Sequence, residues 1–203
     1  MLFRSNKLSI IEINCETDFA AKNLEFLKFS ENLSKLCFEL TGDLNNLKKK
    51  KMKNGNSVDD NVINLISKIG EKITIRRCGF FDNNNYMNFF YVHASLKKSI
   101  GKLGVVVCLE STKCNQEIKD FGQKLAMHIA ASSPLTIEVS QLDKKMLEKE
   151  KEIISEELKN SGKSDDIIKK ISRGKLEKFK QENTLVNQIW IMDPKKKSKR
   201  RYR

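Results

Sequence analysis

No HExxH helix, no GxSxG elbow and no glycine-rich phosphate loop occurs among the 203 residues of this chain. Zinc peptidases, serine hydrolases and P-loop nucleotidases are therefore excluded as readings. The five cysteines (Cys15, Cys37, Cys78, Cys108 and Cys114) are odd in number, and no two have CxxC spacing. That argues against a disulfide framework or a zinc site and for a reducing compartment. The two histidines, His93 and His128, share no metal-ligand spacing, so neither a metal nor another cofactor is expected. The longest apolar run, residues 104–109, is far too short to cross a bilayer. Glu12 and Asn14 interrupt any signal-like stretch near the start. The expectation is a soluble cytoplasmic protein with no membrane partner. Glu16 and Asp18 lie close together, but two carboxylates at i,i+2 in a loop are commonly capping groups. A lone helical histidine such as His128 is more often a satisfied core or surface residue than a catalyst. The chain does not read as an enzyme.

Positive charge is abundant, with a formal net charge of +13. Most of it is confined to two places: the run Lys48 to Lys51 with Lys53, and the tail of Lys195, Lys196, Lys197, Lys199, Arg200, Arg201 and Arg203. The remainder is nearly neutral. Asparagine rises together with lysine, as in Asn83-Asn84-Asn85, which is what AT-rich coding produces. The charge therefore does not by itself argue for a nucleic-acid partner. A basic RNA- or ribosome-associated protein stays as the alternative reading.

Residues 8–14 read as a strand. Asn23 is a good N-cap for an amphipathic helix reaching Leu40, with Phe26, Phe29, Leu33, Leu36 and Cys37 at helical spacing. Residues 43–57 are polar and lysine-rich, and are expected to be mobile. Asp59 or Asp60 suits the start of a second helix that ends at Gly70. Three β segments follow (residues 73–81, 87–94 and 103–109), with Asp82-Asn83-Asn84-Asn85 as a hairpin turn and Gly101 in a second turn. The expected class is α+β: an antiparallel meander packed by helices. A weak internal repeat follows. Asn23, Glu25, Phe26, Phe29 and Leu33 are matched by Asn115, Glu117, Ile118, Phe121 and Leu125. That implies a second, related strand–helix unit. Its loop is short, whereas the first copy carries Thr17-Asp18-Phe19 as an elaboration, so Phe19 has less claim to be a core residue.

Beyond Pro134 the pattern is that of a helical hairpin. Met146, Leu147, Ile153, Ile154 and Leu158 face Ile167, Ile168, Ile171, Leu176 and Phe179, with Gly162 as the stop and Ser164 as the next cap. Such a seam usually satisfies itself; if the hairpin also grips something, a second copy in a homodimer is one occupant. The expected organisation is a first α/β core at 1–110, a second core at 111–141, the hairpin at 142–186, and a strand-like segment with a disordered basic tail at 187–203.

"NCETDFAAKN" (residues 14–23) together with "LAMHIAASSP" (residues 125–134) resembles the elongation factor Ts family. "IGEKITIRR" (residues 69–77) and "LEKEKEIISEELKNSGKSDDIIKKISRGKLEKFKQENTL" are similar to its central strand entry and its helical hairpin. The motifs run in the family's order over about residues 8–194. The resemblance implies a guanine-nucleotide exchange factor for the GTPase elongation factor Tu. It implies that the loop of Thr17, Asp18, Phe19 and Ala20 reaches the GTPase, with the phenylalanine wedged between two partner helices and the nearby Mg2+ site disturbed. It places further GTPase contacts at Leu103, Gly104 and His128. The position after the phenylalanine is often valine in the family and is Ala20 here. Relatives also begin with a small helical module and continue past the hairpin with another strand and helix. This chain starts almost at the first strand and ends on "PKKKSKRRYR", so the resemblance implies either a truncated gene product or a pared-down factor, its second unit incomplete, with an open sheet edge near residues 105–109 or on their partner strand.

Overall fold

Asn23 opens the first long helix as its residue type demands: its side chain accepts the Glu25 N–H at 2.8 Å, which satisfies one of the donors a helix start leaves free. The computed structural model describes residues 1–4, 6–82, 86–111, 115–159 and 164–193. The chain separates into two compact units, Met1–Ala126 and Met127–Arg203.

The first unit contains β1 (Leu2–Arg4), β2 (Lys7–Asn14), α1 (Asp18–Lys22), α2 (Leu24–Glu39), α3 (Leu44–Lys49), α4 (Val58–Ile69), β3 (Thr74–Phe81), β4 (Tyr86–Lys97) and β5 (Ile100–Glu110). The helix α5 (Gln116–Ser132) begins in this unit and passes into the next. Helix α2 buries Phe26, Phe29, Ser30, Leu33 and Cys37, the i, i+3, i+4, i+7 stripe of an amphipathic helix. Of these, Phe26, Phe29, Leu33 and Cys37 meet Leu47, Val58, Leu65, Ile73 and Ile75 in one core. Helix α4 starts on a reciprocal cap between Ser57 and Asp60 and stops at Gly70, whose φ of 79° is left-handed.

The α+β class, with small antiparallel sheets and packed helices, is borne out. The strand order differs from a three-strand meander. β3 pairs with β2, from Leu8↔Phe81 to Asn14↔Thr74, and β1 pairs on the other side of β2. β4 and β5 form a separate two-stranded ribbon. Consecutive strands were expected to pair because hairpins are local. Here β2, far back in the chain, takes β3, and Asn88 of β4 instead bonds the carbonyls of Asn6 and Phe81. Within the β2–β3 ladder the register shifts between Glu12 and Ile13. One extra residue on β3 puts Arg76 and Arg77 side by side, and both reach the Glu12 carboxylate, at 2.8 and 2.6 Å. The Arg76 hydrogen bond, seconded by Arg77, holds that carboxyl below its usual range.

The 43–57 stretch also departs from expectation. Asp43 caps α3 through Asn45 and Asn46, and Leu47 is fully buried. Lys51 then bridges to Ser57. One buried leucine, with Leu44 and Met52 packed beside it, is enough to fix a segment whose composition reads as solvent-facing. Asn115 repeats the role of Asn23 and accepts the Ile118 N–H at 3.0 Å.

The second unit holds α6 (Lys144–Lys159) and α7 (Asp165–Asn183). Ile154 and Leu158 are buried on α6, while α7 buries none of its described side chains, so the seam is narrow, as the sequence pattern implies. Lys175 and Glu157 pair across it at 2.5 Å. Ser164 precedes α7 but its side chain makes no cap bond. The Gly162 stop, most of the Asp82–Asn85 turn and the basic tail lie outside the described residues.

Candidate functional site

Thr17 begins α1 with an extended backbone, and its Oγ1 accepts the Ala20 N–H at 3.2 Å. The stretch expected as a loop is therefore a single helical turn, too short to leave any periodicity in the sequence. Ala20 is buried, and Phe19 points the other way with 87% of its surface exposed. Large aromatics are ordinarily buried. A phenylalanine this exposed, on a turn whose neighbours are bonded, is not a core residue.

Two ion-linked contacts hold the turn. The Thr17 N–H donates to Glu71 Oε2 at 2.9 Å and its hydroxyl donates to Glu71 Oε1 at 2.5 Å. Lys102 of β5 donates to both oxygens of Asp18 at 2.7 and 2.8 Å. Lys102 keeps the Asp18 carboxyl below the ordinary carboxylate range. A groove of about 890 Å3 runs beside the turn, lined by Ile10, Thr17, Asp18, Arg76, Leu103 and Gly104 among others. Leu103 is 40% exposed. A Cβ on Gly104 would stand 3.2 Å from the Met1 terminal methyl and 3.3 Å from Ile10 Cδ1, so any larger residue there would press on side chains that line the groove. The structure thus brings Thr17, Asp18, Leu103 and Gly104 around one groove. Glu71 and Lys102 escaped the sequence reading, because an acid after a helix-ending glycine and a lysine in a basic chain carry no distinguishing pattern.

Cys15 sits at the entrance to this turn, with its thiol 3.5 Å from the Thr17 carbonyl. Burial, then Glu71 and Asp18, push its pKa upward, which is the wrong direction for a nucleophile. Among the described residues no cluster of His, Cys, Asp and Glu could hold a metal ion, and no helix is long and apolar enough to cross a membrane.

His128 belongs to the second unit and is fully buried. Its ring lies 4.9 Å from that of Trp190. Gln188 uses its NH2 group on the Ser132 and Glu182 carbonyls, so its Oε1 must accept from His128 Nε2, at 3.1 Å. His128 Nδ1 in turn accepts the Ile191 N–H at 3.4 Å. Only the neutral ring protonated on Nε2 satisfies both contacts, and burial lowers the pKa in the same sense, against the opposing Gln188 bond. A folded-state pKa below the unfolded value of about 6.5 gives stability that is complete above that pH and declines as pH falls through the folded value. Unfolding by denaturant, followed through the single tryptophan, should show the second unit weakening from about pH 7.5 to about pH 5.5. The slope should flatten in His128→Gln. An equal slope in that variant would place the titrating group elsewhere.

The model of the family described as Elongation factor TS matches residues 16–200. The chain belongs to this family. It is 34% identical over 188 residues to elongation factor Ts of Gluconobacter oxydans, covering 93% of this chain and 62% of the relative. Against elongation factor Ts of Rhodospirillum rubrum it is 35% identical over 187 residues, covering 91% and 60%. Against that of Zymomonas mobilis it is 33% identical over 195 residues, covering 96% and 64%. The chain thus spans about three fifths of the length of these elongation factor Ts relatives. Thr17, Asp18, Phe19, Ala20, Leu103, Gly104 and His128 all fall inside the matched stretch.

Proposed function

We propose that this chain binds elongation factor Tu in its GDP form and speeds GDP release, with Phe19 as the anchor that enters the GTPase near its Mg2+ site. The single observation that carries the reading is the exposure of Phe19 on a turn held by Glu71 and Lys102. An unburied aromatic has its whole apolar area left to contribute to a complex. At the centre of an interface such an anchor contributes about 2–4 kcal/mol. A guanine nucleotide owes much of its affinity to Mg2+ bridging its phosphates. A factor that prefers the metal-free, opened GTPase must weaken nucleotide by the same factor by which nucleotide weakens it. No covalent or proton-transfer step is required.

Leu103 and Gly104 would extend the contact along the groove. His128, being fully buried, would act by shaping the Trp190 and Gln188 packing rather than by direct touch. Met146, Ile153 and Ile167 are exposed on the hairpin and offer a grip for the GTPase or for a second copy of the chain.

The test is stopped-flow release of labelled GDP from elongation factor Tu, with and without the full chain. Saturable acceleration of at least about tenfold is expected from the anchor energy. Unchanged release, together with salt-dependent RNA binding, would replace this reading with that of an RNA-associated protein.

A further inference from the structure

Helix α1 has five residues, well below the length of about 12–15 at which a helix persists unaided. Its packing does little to help, since Ala20 is its one buried side chain. What keeps the turn formed must be polar. The Thr17 hydroxyl is the pivot. By donating to Glu71 Oε1 it fixes its own rotor, and its lone pair is then free to receive the Ala20 N–H. The second Glu71 oxygen takes the Thr17 N–H. Glu71 is itself placed by Gly70, whose left-handed φ of 79° ends α4 and turns the next residue back. A reciprocal contact, from the Lys72 N–H to Glu16 Oε2 at 3.4 Å, crosses beside it. Two segments more than fifty residues apart are thus laced together directly behind Phe19.

We infer that Glu71 is a positioning residue: its carboxylate keeps the Phe19-bearing turn formed before any partner arrives. The use of that order in exchange rests on the function proposed above. If only a fraction of free molecules present the turn correctly, apparent affinity falls by that fraction, while the rate at saturation does not. Glu71 should therefore act on the concentration of factor needed and not on the maximal rate.

The experiment compares full-length Glu71→Ala and Glu71→Gln with wild type in two measurements. In the free protein, amide hydrogen exchange at Ala20 and Ala21 should quicken about tenfold in Glu71→Ala as the turn opens more often, with amides of α2 unchanged. Glu71→Gln retains one acceptor and should fall between. In GDP release from elongation factor Tu, the half-saturating concentration of Glu71→Ala should rise by about the same factor at an unchanged maximal rate. Adding Glu71→Ala to Phe19→Ala should cost nothing further. Unaltered Ala20 exchange overturns the inference, as does a loss of similar size in the Phe19→Ala background, which would mark Glu71 as merely structural. If Phe19→Ala alone leaves GDP release untouched, the proposed function fails, and Ala20 exchange still decides the role of Glu71.

Discussion

Phe19→Ala is expected to cut stimulated GDP release at least about tenfold while the protein melts where the wild type does, because the two effects draw on different surfaces. In the free chain the ring is 87% exposed, so deleting it removes almost no packing, and exposed substitutions of this kind usually stay within about 0.5 kcal/mol. In the proposed complex the same ring is the central anchor, and losing about 2–4 kcal/mol there corresponds to roughly thirty- to a thousand-fold. The measurements are GDP release from elongation factor Tu and thermal unfolding by circular dichroism on the same preparation. A melting temperature that drops sharply while exchange survives would return Phe19 to the core and remove the basis of the proposed function.

Trp190→Ala should have the opposite signature. Trp190 is fully buried and stacks near His128, and truncating a buried tryptophan to alanine typically costs about 3–5 kcal/mol. That is a large share of the total stability of a domain, about 5–15 kcal/mol. The damage should be regional. Protection from hydrogen exchange should fall in α6, α7 and the segment around Thr136 and Thr184, which are joined through the Leu135, Leu185 and Val186 N–H groups. The β2–β3 ladder of the first unit should keep its protection. Uniform loss of protection across both units would mean that they unfold as one.

Elements whose instructions are local could be read from the sequence. Helix α2 carries its cap, Asn23, and its stripe within its own residues, and α4 carries Gly70 at its end. Strand positions were legible for the same reason, since alternation and β-branched residues are local. Strand partners were not. β2 and β3 meet across more than fifty residues, and nothing in either segment names the other. The lysine-rich 43–57 stretch hid its anchor, because the single pair Leu44 and Leu47 among lysines and asparagines is too short to show a period. At the candidate site, Phe19 stood out through a resemblance to a family, whereas its exposure and the two side chains that steady its turn needed coordinates. Glu71 and Lys102 come from distant segments, and charged residues are too common in this chain for any pair to announce itself. His128 read from its neighbours as a satisfied histidine and from the resemblance as a GTPase contact; its burial and its tautomer, which follows from the way Gln188 must point, needed coordinates.

The anchoring of α3 by Leu47 bears on how such a chain can change over time. Most of its side chains make no demand on the interior, so drift can rewrite them at little cost to the fold. Selection need only guard a few codons, with Leu47 foremost. The segment's outward chemistry is then free to follow mutational pressure, while the buried Leu47 holds its place on the protein.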